Sequence, residues 1–352
     1  MKKLYQSAKW KRYSRKVSRR VLKKNRQRSR KLRIRRNRSN IRWRQNTKAS
    51  RHYKHIKRKK GKVKITVPSV FSIIDNTEET LAFFDVTKEY VSQKIKIYFD
   101  MSKVEKMTAD AILYTLSLFD YWKKRYGFIN VAGNVPLDES CKMLLIESGF
   151  FRHVIPADVK LNQSNPHILS IESDYLAESP IAKKVVDFAY EHLKKEKSNE
   201  SKSIFATLVE CMGNTKEHAY LKDNLLPKWW LIALYDQNVE RVHFAFVDNG
   251  MGIPGTVRKK FMERIKEYTG GVLGNVQDSM LIDSALKGEF RTKTKLGYRG
   301  NGLPKILSYS EKKEIDNLII ISNKGYVNST TPECKELARK FNGTLLSWDF
   351  VP

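Results

Sequence analysis

The chain of 352 residues is long enough for two ordinary domains and an additional segment. Its net charge of +31 is concentrated at one end, because the first 64 residues contain 30 of the 68 lysines and arginines and no acidic residue. The rest of the chain is nearly neutral, so the composition excludes a uniformly basic protein.

The cysteines and the hydropathy pattern indicate the cellular compartment of the protein. Cys141, Cys211 and Cys334 lie far apart, without the spacing of a metal site, and predict buried thiols in a reducing compartment. No run of 18 apolar residues occurs, which predicts that no segment spans a membrane. The N-terminus lacks the apolar core of a signal peptide, and we therefore expect a cytoplasmic protein.

Residues 1–62 form a basic arm that cannot build a hydrophobic core. Its lysines and arginines would bind phosphate backbones with a strong dependence on salt. Aromatic side chains that can stack on exposed bases are spaced among them, at Tyr5, Trp10, Tyr13, Trp43 and Tyr53. The arm predicts nucleic-acid binding without sequence preference, for DNA or RNA. The alternative is a tail that contacts RNA, a membrane surface or an acidic partner without specificity.

Residues 63–160 show strands and helices in alternation. The predicted elements are a strand at 63–67, a strand at 96–100, a helix at 108–122, a strand at 128–131 and a helix at 139–148. This order predicts a small α/β domain with a parallel or mixed sheet covered by helices.

The same region resembles a known family. The order of a strand, Asp100-Met101-Ser102, a loop, a helix, a strand, a helix and Ser148-Gly149-Phe150 is similar to STAS domains, the fold of anti-sigma-factor antagonists. The resemblance implies a protein partner for this domain. It also makes Thr108 the candidate phosphorylation site, although the usual Asp-Ser-Ser-Gly pattern is absent. The alternative is that the Thr108 hydroxyl caps the following helix.

Residues 165–352 contain the motifs with specific chemistry. The segment 203–220 has helical apolar spacing, with Ile204, Leu208 and Met212 as its expected core face. Glu210 and Asn214 are four residues apart and therefore project from one face of that helix. An amide oxygen can ligate Mg²⁺, and a carboxylate can activate a water. Helical Glu and Asn also occur as a solvent-exposed stripe, so the pair alone decides nothing.

Two glycine-containing turns follow along the chain. The strand 242–247 runs into Asp248-Asn249-Gly250-Met251-Gly252, where a carboxylate can accept a hydrogen bond from an exocyclic amine and the glycines allow close approach to a flat ring. An ordinary strand-to-turn ending has the same pattern. Further on, Gly300-Asn301-Gly302 precedes a helical run at 305–309, and glycines before a helix can expose backbone N–H groups to a phosphate.

In combination these motifs resemble one family. Glu-x-x-x-Asn on a helix, Asp-x-Gly-x-Gly, Gly-x-Gly before a helix, and Asn342-Gly343-Thr344 before the strand 345–350 occur in the order of the GHKL (histidine-kinase-like, Bergerat-fold) ATPases. The resemblance implies an α/β sandwich with helices over one face of a mixed sheet. It also implies that ATP binds beneath a mobile lid, here the stretch 256–296.

The resemblance assigns roles residue by residue. It implies that Glu210 is the general base, that Asn214 is the Mg²⁺ ligand and that Asp248 binds the adenine amine. Gly250 and Gly252 would line the base, Gly300 and Gly302 would contact the phosphates, and the Thr344 hydroxyl would support Asp248. The basic end of the lid would supply further phosphate contacts, with candidates at Lys287, Arg291, Lys293, Lys295 and Arg299. His218 has no role in the family and we interpret it as structural.

Two functions remain open at this stage. The helical hairpin of sensor kinases is missing, because His192, the one histidine on a predicted helix upstream, lies only 18 residues before Glu210. One function is an ATPase whose conformational change is coupled to nucleic acid held by residues 1–62, with an ATP-dependent homodimer left open. The other is a serine/threonine kinase of the anti-sigma-factor type that acts on its own or another STAS domain. We therefore expect an α/β protein with a basic arm at 1–62, a STAS-like domain at 63–160 and a GHKL domain at 165–352.

Overall fold

A computed structural model describes residues 62–155, 165–194, 201–218, 226–258, 276–289, 302–331 and 333–350. All of these residues belong to one compact unit, Lys62–Pro352, and residues 1–61 of the basic arm lie outside the described residues. The structure is of the mixed α/β class expected from the sequence.

The N-terminal elements alternate between strands and helices. They are β1 (Val63–Thr66), β2 (Val70–Phe71), α1 (Thr77–Ser92), β3 (Ile97–Asp100), β4 (Lys106–Met107), α2 (Ala109–Tyr126), β5 (Val131–Gly133), α3 (Glu139–Glu147) and α4 (Phe150–Val154). Strands β1, β3 and β5 form a parallel sheet in the order β1-β3-β5, and β2 pairs with β4. Of the two arrangements expected from the sequence, parallel or mixed, the three-stranded sheet has the parallel one.

One predicted strand of this region is displaced. The strand expected at 128–131 begins only at Val131, because α2 continues to Tyr126 and ends at Gly127, whose φ is 89°. Phe128 is 70% exposed, so the apolar residue that suggested a buried strand lies in the connection instead.

The C-terminal elements build a second sheet. They are β6 (Ile168–Asp174), α5 (Ser179–Leu193), α6 (Ser201–His218), β7 (Trp229–Asp236), β8 (Arg241–Asp248), α7 (Asp278–Leu286), α8 (Gly302–Glu311), β9 (Asp316–Asn328) and β10 (Glu333–Phe350). The strand order is β6-β7-β8-β10-β9, and every neighbouring pair is antiparallel. The expectation of a mixed sheet is therefore wrong for this sheet.

Both faces of the five-stranded sheet are covered. On the first face Trp229, Leu231 and Phe246 pack in one apolar cluster with α5, α6, α7 and α8. On the second face Trp230, Ile232 and Val247 pack in another cluster with α1 and α2. The expectation that helices cover one face is thus wrong, because strand β7 is apolar at consecutive positions, a pattern typical of strands buried on both sides.

Helices α1 and α2 lie between the two sheets. The ring of Phe99 on β3 is 4.9 Å from that of Phe83 on α1 and 6.1 Å from that of Phe119 on α2, measured between centroids. On its other side α2 packs on β7, β8 and β10. The described strands and helices between residues 62 and 350 therefore share one continuous layered architecture.

Two of the three cysteines follow the sequence prediction. Cys141 and Cys211 are buried free thiols, and burial raises the pKa of both. Cys334 is exposed, contrary to the prediction, because it lies at the start of β10, where the four consecutive residues 333–336 are exposed.

Candidate functional site

Helix α6 presents the Glu210 and Asn214 pair beside the five-stranded sheet. Ile204, Leu208 and Met212 are fully buried, so the predicted core face is confirmed. Both Glu210 and Asn214 are half-buried. They lie one turn apart on the edge of the helix between the core face and the exposed face. The His218 side chain lies outside the described residues.

The first glycine of α8 is packed against this pair. A Cβ atom built on Gly302 would lie 2.5 Å from Oε2 of Glu210 and 3.6 Å from Nδ2 of Asn214. A side chain at position 302 would have to displace the Glu210 carboxylate from this position. The fold thus brings together two motifs that are almost 90 residues apart in the sequence. Gly300, the other glycine predicted for this turn, lies outside the described residues.

Asp248 closes strand β8 as a buried carboxylate. The backbone N–H of Gly250 donates to its Oδ1 at 2.7 Å, and Thr344 lies directly opposite on β10. Burial raises the pKa of Asp248 to about 6, while hydrogen bonds from Gly250 and from the Thr344 hydroxyl and backbone oppose this rise. The site therefore holds a carboxylate that is desolvated but already oriented by two neighbours.

Glycines allow the two turns around Asp248 to interlock. Gly252 has φ of 80°, and a Cβ atom there would lie 2.7 Å from Oγ of Ser322. Gly343 has φ of 103°, and a Cβ atom there would overlap the carbonyl oxygen of Asp248. Both positions require glycine for conformation and for space. The Asp-x-Gly-x-Gly turn and the Asn342-Gly343-Thr344 segment are consequently in direct contact.

Ser322 belongs to the same cluster, and the sequence did not reveal it. Its fully buried hydroxyl accepts from the backbone N–H of Ile253 at 2.9 Å, donates to the carbonyl of Gly343 at 2.9 Å and lies 3.2 Å from Oγ1 of Thr344. Ser322, Thr344 and Asp248 thus form a polar row across three adjacent strands. The detectable signal is a serine and an asparagine that end the apolar run Leu318–Ile321 on β9.

The neighbouring Asn323 adds an acceptor without a partner. It is 7% exposed with φ of 53°, and its Oδ1 is buried without a hydrogen-bond partner within the part of the chain that the structure describes. A Cβ atom on Gly252 would lie 2.9 Å from this oxygen. The oxygen therefore borders the turn beside Asp248, where a ligand donor can satisfy it.

The stretch 256–296 is not a lid over its whole length. Helix α7 lies within it, and Leu281 and Ile282 are fully buried against β9, where Ile282 meets the backbone at Gly325. Lys287, one of the candidate phosphate contacts, pairs instead with Asp283 at 2.6 Å on the surface of α7. The other candidates, Arg291, Lys293, Lys295 and Arg299, lie outside the described residues.

Thr108 stands at the N-cap position of α2, but its side chain makes no capping hydrogen bond. Its hydroxyl donates to the carbonyl of Phe71 at 3.4 Å, as its backbone N–H does at 3.2 Å. The expectation that the hydroxyl caps the helix is therefore wrong. The reason is that the hydroxyl is engaged by the carbonyl of Phe71 at the end of β2 and by the side chain of Asp110, not by a backbone N–H of the first turn.

The described residues contain no group of three or more His, Cys, Asp or Glu side chains arranged to hold a metal ion. They also contain no helix with the length and apolarity needed to cross a membrane. Comparisons with models of known protein families and with curated proteins find no match.

Proposed function

We propose that this chain is a Mg-ATP-binding protein of the GHKL type that hydrolyses ATP. The observation that carries the proposal is that four separate motifs meet in two pairs. Gly302 lies against Glu210 and Asn214, while Gly252 and Gly343 interlock around Asp248. These residues come from α6, β8, α8 and β10, and nothing in the packing of an ordinary α/β core requires a carboxylate or an amide at these positions.

Asp248 is suited to bind adenine. A carboxylate held by the Gly250 N–H and by Thr344 keeps acceptor capacity for an exocyclic amine, and its low-dielectric setting strengthens that hydrogen bond. The turn at Gly250 and Gly252 offers backbone without side chains to a flat ring. Asn323 Oδ1 is a second acceptor beside this turn.

Glu210 and Asn214 are suited to the phosphate end. The Asn214 amide oxygen would hold Mg²⁺, which completes its coordination with water and phosphate oxygens and therefore needs no cluster of carboxylates. Bound Mg²⁺ would neutralise charge on the phosphates. The Gly300–Gly302 turn would donate backbone N–H groups at the start of α8, which has ten residues. Glu210 would take the proton of the attacking water.

The geometry favours hydrolysis over phosphorylation of the molecule's own Thr108. Helix α6 packs on the first face of the five-stranded sheet, whereas α2, which begins after Thr108, packs on the second face. The sheet thus separates Glu210 from Thr108 within one molecule. A kinase that acts on the STAS-like region of another copy, or of another protein, stays open as the alternative function.

In this proposal the basic arm binds the partner, which is nucleic acid. Residues 1–61 contain 28 lysines and arginines without an acidic residue, a density that attracts nucleic-acid backbones independently of sequence. We propose that nucleic acid bound there stimulates ATP turnover, and that ATP binding promotes a homodimer. The STAS-like region would provide a docking surface for a protein partner, in a cytoplasmic setting.

One experiment separates the alternatives. Purified protein is incubated with Mg²⁺ and γ-labelled ATP, with and without DNA or RNA. We expect free labelled phosphate, released faster when nucleic acid is present. Label retained on the protein and lost in Thr108→Ala would instead establish a kinase. Absence of both products, together with no ATP binding by calorimetry, would refute the proposed function.

A further inference from the structure

Helix α2 of the N-terminal part contacts the Asp248 turn directly. Asn249, which is 4% exposed, donates from Nδ2 to the Asp120 carboxylate at 3.0 Å and to the carbonyl of Ser117 at 3.5 Å, both on α2. Its Oδ1 accepts from the backbone N–H of Lys228 at 2.7 Å. The residue that follows the adenine-binding candidate is therefore anchored to a helix from the other half of the chain.

The same helix contacts the second turn of the site. The Tyr114 ring is buried and stacks on Phe341, with 4.0 Å between the ring centroids. Its hydroxyl oxygen accepts a hydrogen bond from the backbone N–H of Asn342 at 3.0 Å. Asn342 is followed by Gly343, which lies against the carbonyl of Asp248. The next residue, Thr344, hydrogen-bonds the carboxylate of Asp248. Tyr114 is thus connected to the Asp248 carboxylate through the segment Asn342-Gly343-Thr344.

We propose that α2 is a positioning element of the nucleotide site, in which Asp120 and Tyr114 hold the two turns that orient Asp248. The proposal rests on the nucleotide-binding function inferred above. It makes ATP affinity dependent on the placement of α2 and links the STAS-like region to the ATP site. Such coupling is reciprocal. A partner that shifts α2 would change the affinity for ATP, and ATP would change the affinity for that partner by the same factor.

The physical basis is the burial of these contacts. Removal of the Tyr114 hydroxyl leaves the Asn342 N–H without its acceptor in a largely dry setting, and the segment must move to find water or another partner. Such a movement lengthens the Thr344 hydrogen bonds to Asp248. Since those bonds lower the pKa of Asp248, their loss raises it further above its ordinary value.

The first test uses the full-length, ligand-free protein. Selective ¹³C labelling of aspartate carboxyls follows the titration of Asp248, whose signal is assigned by its loss in Asp248→Asn. We expect the midpoint, near pH 6 in the unaltered chain, to rise in Tyr114→Phe, which keeps the stacked ring. Tyr121→Phe removes a hydroxyl from the same helix and should leave the midpoint unchanged. An equal midpoint in all three proteins would overturn the proposal.

The charged and titratable neighbours do not obscure this readout. On α6, the Cys211 thiol interacts electrostatically with Asp248, but burial raises its pKa so far that it stays protonated across the titration. Glu210 on the same helix acts on Cys211 as well. Asp120 and Lys124 on α2 pair with each other at 2.5 Å.

The second test measures ATP affinity by calorimetry. We expect Tyr114→Phe and Asp120→Ala each to weaken ATP binding about three- to tenfold, the effect of losing one hydrogen bond. Asp120→Asn keeps an oxygen that can accept the hydrogen bond from Asn249, and it should restore most of the ATP affinity. If Asp120 acted only through its negative charge, Asp120→Asn would weaken ATP binding as much as Asp120→Ala does.

The two proposals fail in different ways. An unaltered chain that binds no ATP refutes the nucleotide function, while the carboxyl titration still decides whether α2 positions Asp248. If the unaltered chain binds ATP and both Tyr114→Phe and Asp120→Ala bind it with the same affinity as the unaltered chain, only the positioning role is refuted.

Discussion

Asp248 is the residue at which stability and the proposed function oppose each other. Its carboxyl is more easily protonated in the folded chain, with a pKa of about 6, than in the unfolded chain, where the reference value is 3.8. Between these values the native state binds more protons than the unfolded state. The contribution of this group to the free energy of unfolding therefore increases as pH falls from about 6 to about 4, and at neutral pH the buried charge destabilises the fold.

Replacing Asp248 by asparagine should separate the two properties. We expect Asp248→Asn to lose ATP binding, because the amide presents a donor where the adenine amine needs an acceptor. The ligand-free fold should become more stable at pH 7 by up to about 3 kcal/mol, the equivalent of the raised pKa. Calorimetry and urea unfolding measure the two effects.

Asp236→Asn is the matched control at the opposite end of the β7–β8 hairpin, where the side chain is exposed. It should change neither quantity. Unaltered ATP affinity in Asp248→Asn would remove this residue from the adenine site.

Glu210 is tested by a change that preserves its shape. We expect Glu210→Gln to bind ATP with nearly unaltered affinity but to lose turnover by about 100-fold or more, because the amide cannot accept the proton of the attacking water. Phosphate release under single-turnover conditions measures this step. Glu172→Gln, on the surface where it pairs with Lys184, is the control for loss of one carboxylate. Turnover that survives in Glu210→Gln would assign the base elsewhere.

At the scale of elements, the pattern of β7 explains why the two halves form one body. Trp229 is buried under α5 and α6, and the adjacent Trp230 is buried under α2. A sheet with one solvated face would alternate apolar and polar residues. Residues 229–233 do not alternate in this way, so the sheet requires a second covering layer, which α1 and α2 provide.

The paired tryptophans provide a direct test of this layer. We expect Trp229→Ala and Trp230→Ala each to lower the free energy of unfolding by about 3–5 kcal/mol, as large-to-small substitutions in cores do. Denaturant unfolding of the full chain measures both. A loss below about 1 kcal/mol for Trp230→Ala alone would mean that the second face is not a core in solution.

The elements also show where sequence patterns were sufficient. Helices α6 and α2 are predicted from apolar residues at helical spacing, and β8 from a short apolar run that leads into a glycine-containing turn. Strand β7 was not predicted, because a continuous apolar run fits a buried strand or a buried helix equally well. The family resemblance places helix α7 in a lid, and only contact with β9 shows that its apolar residues Leu281 and Ile282 belong to the core.

For the whole molecule, the distribution of charge separates two tasks. The region 62–352 is nearly neutral and contains the proposed nucleotide site, whereas residues 1–61 carry almost all of the excess charge. We expect deletion of residues 1–61 to abolish nucleic-acid binding and its stimulation of turnover while ATP affinity remains unchanged. Fluorescence anisotropy over a range of salt concentrations measures binding, and the steep salt dependence of the full chain should disappear.

The remaining outcome is equally informative. If the shortened chain retains nucleic-acid binding at physiological salt, the contact surface belongs to the region 62–352 and the arm has another role.

The sequence by itself determined the α/β class, the alternation of strands and helices in the first half and the identity of Glu210, Asn214, Asp248, Gly252, Gly302 and Thr344 as candidates. These features depend on local spacing and on residue chemistry, which a linear pattern preserves. Only the tertiary structure decided that Gly302 meets Glu210, that Ser322 joins Thr344 and Asp248 in one row, and that α2 contacts both turns around Asp248. These contacts join residues 20 to more than 200 positions apart, and they arise because both faces of one sheet must be buried, a constraint that no single segment records.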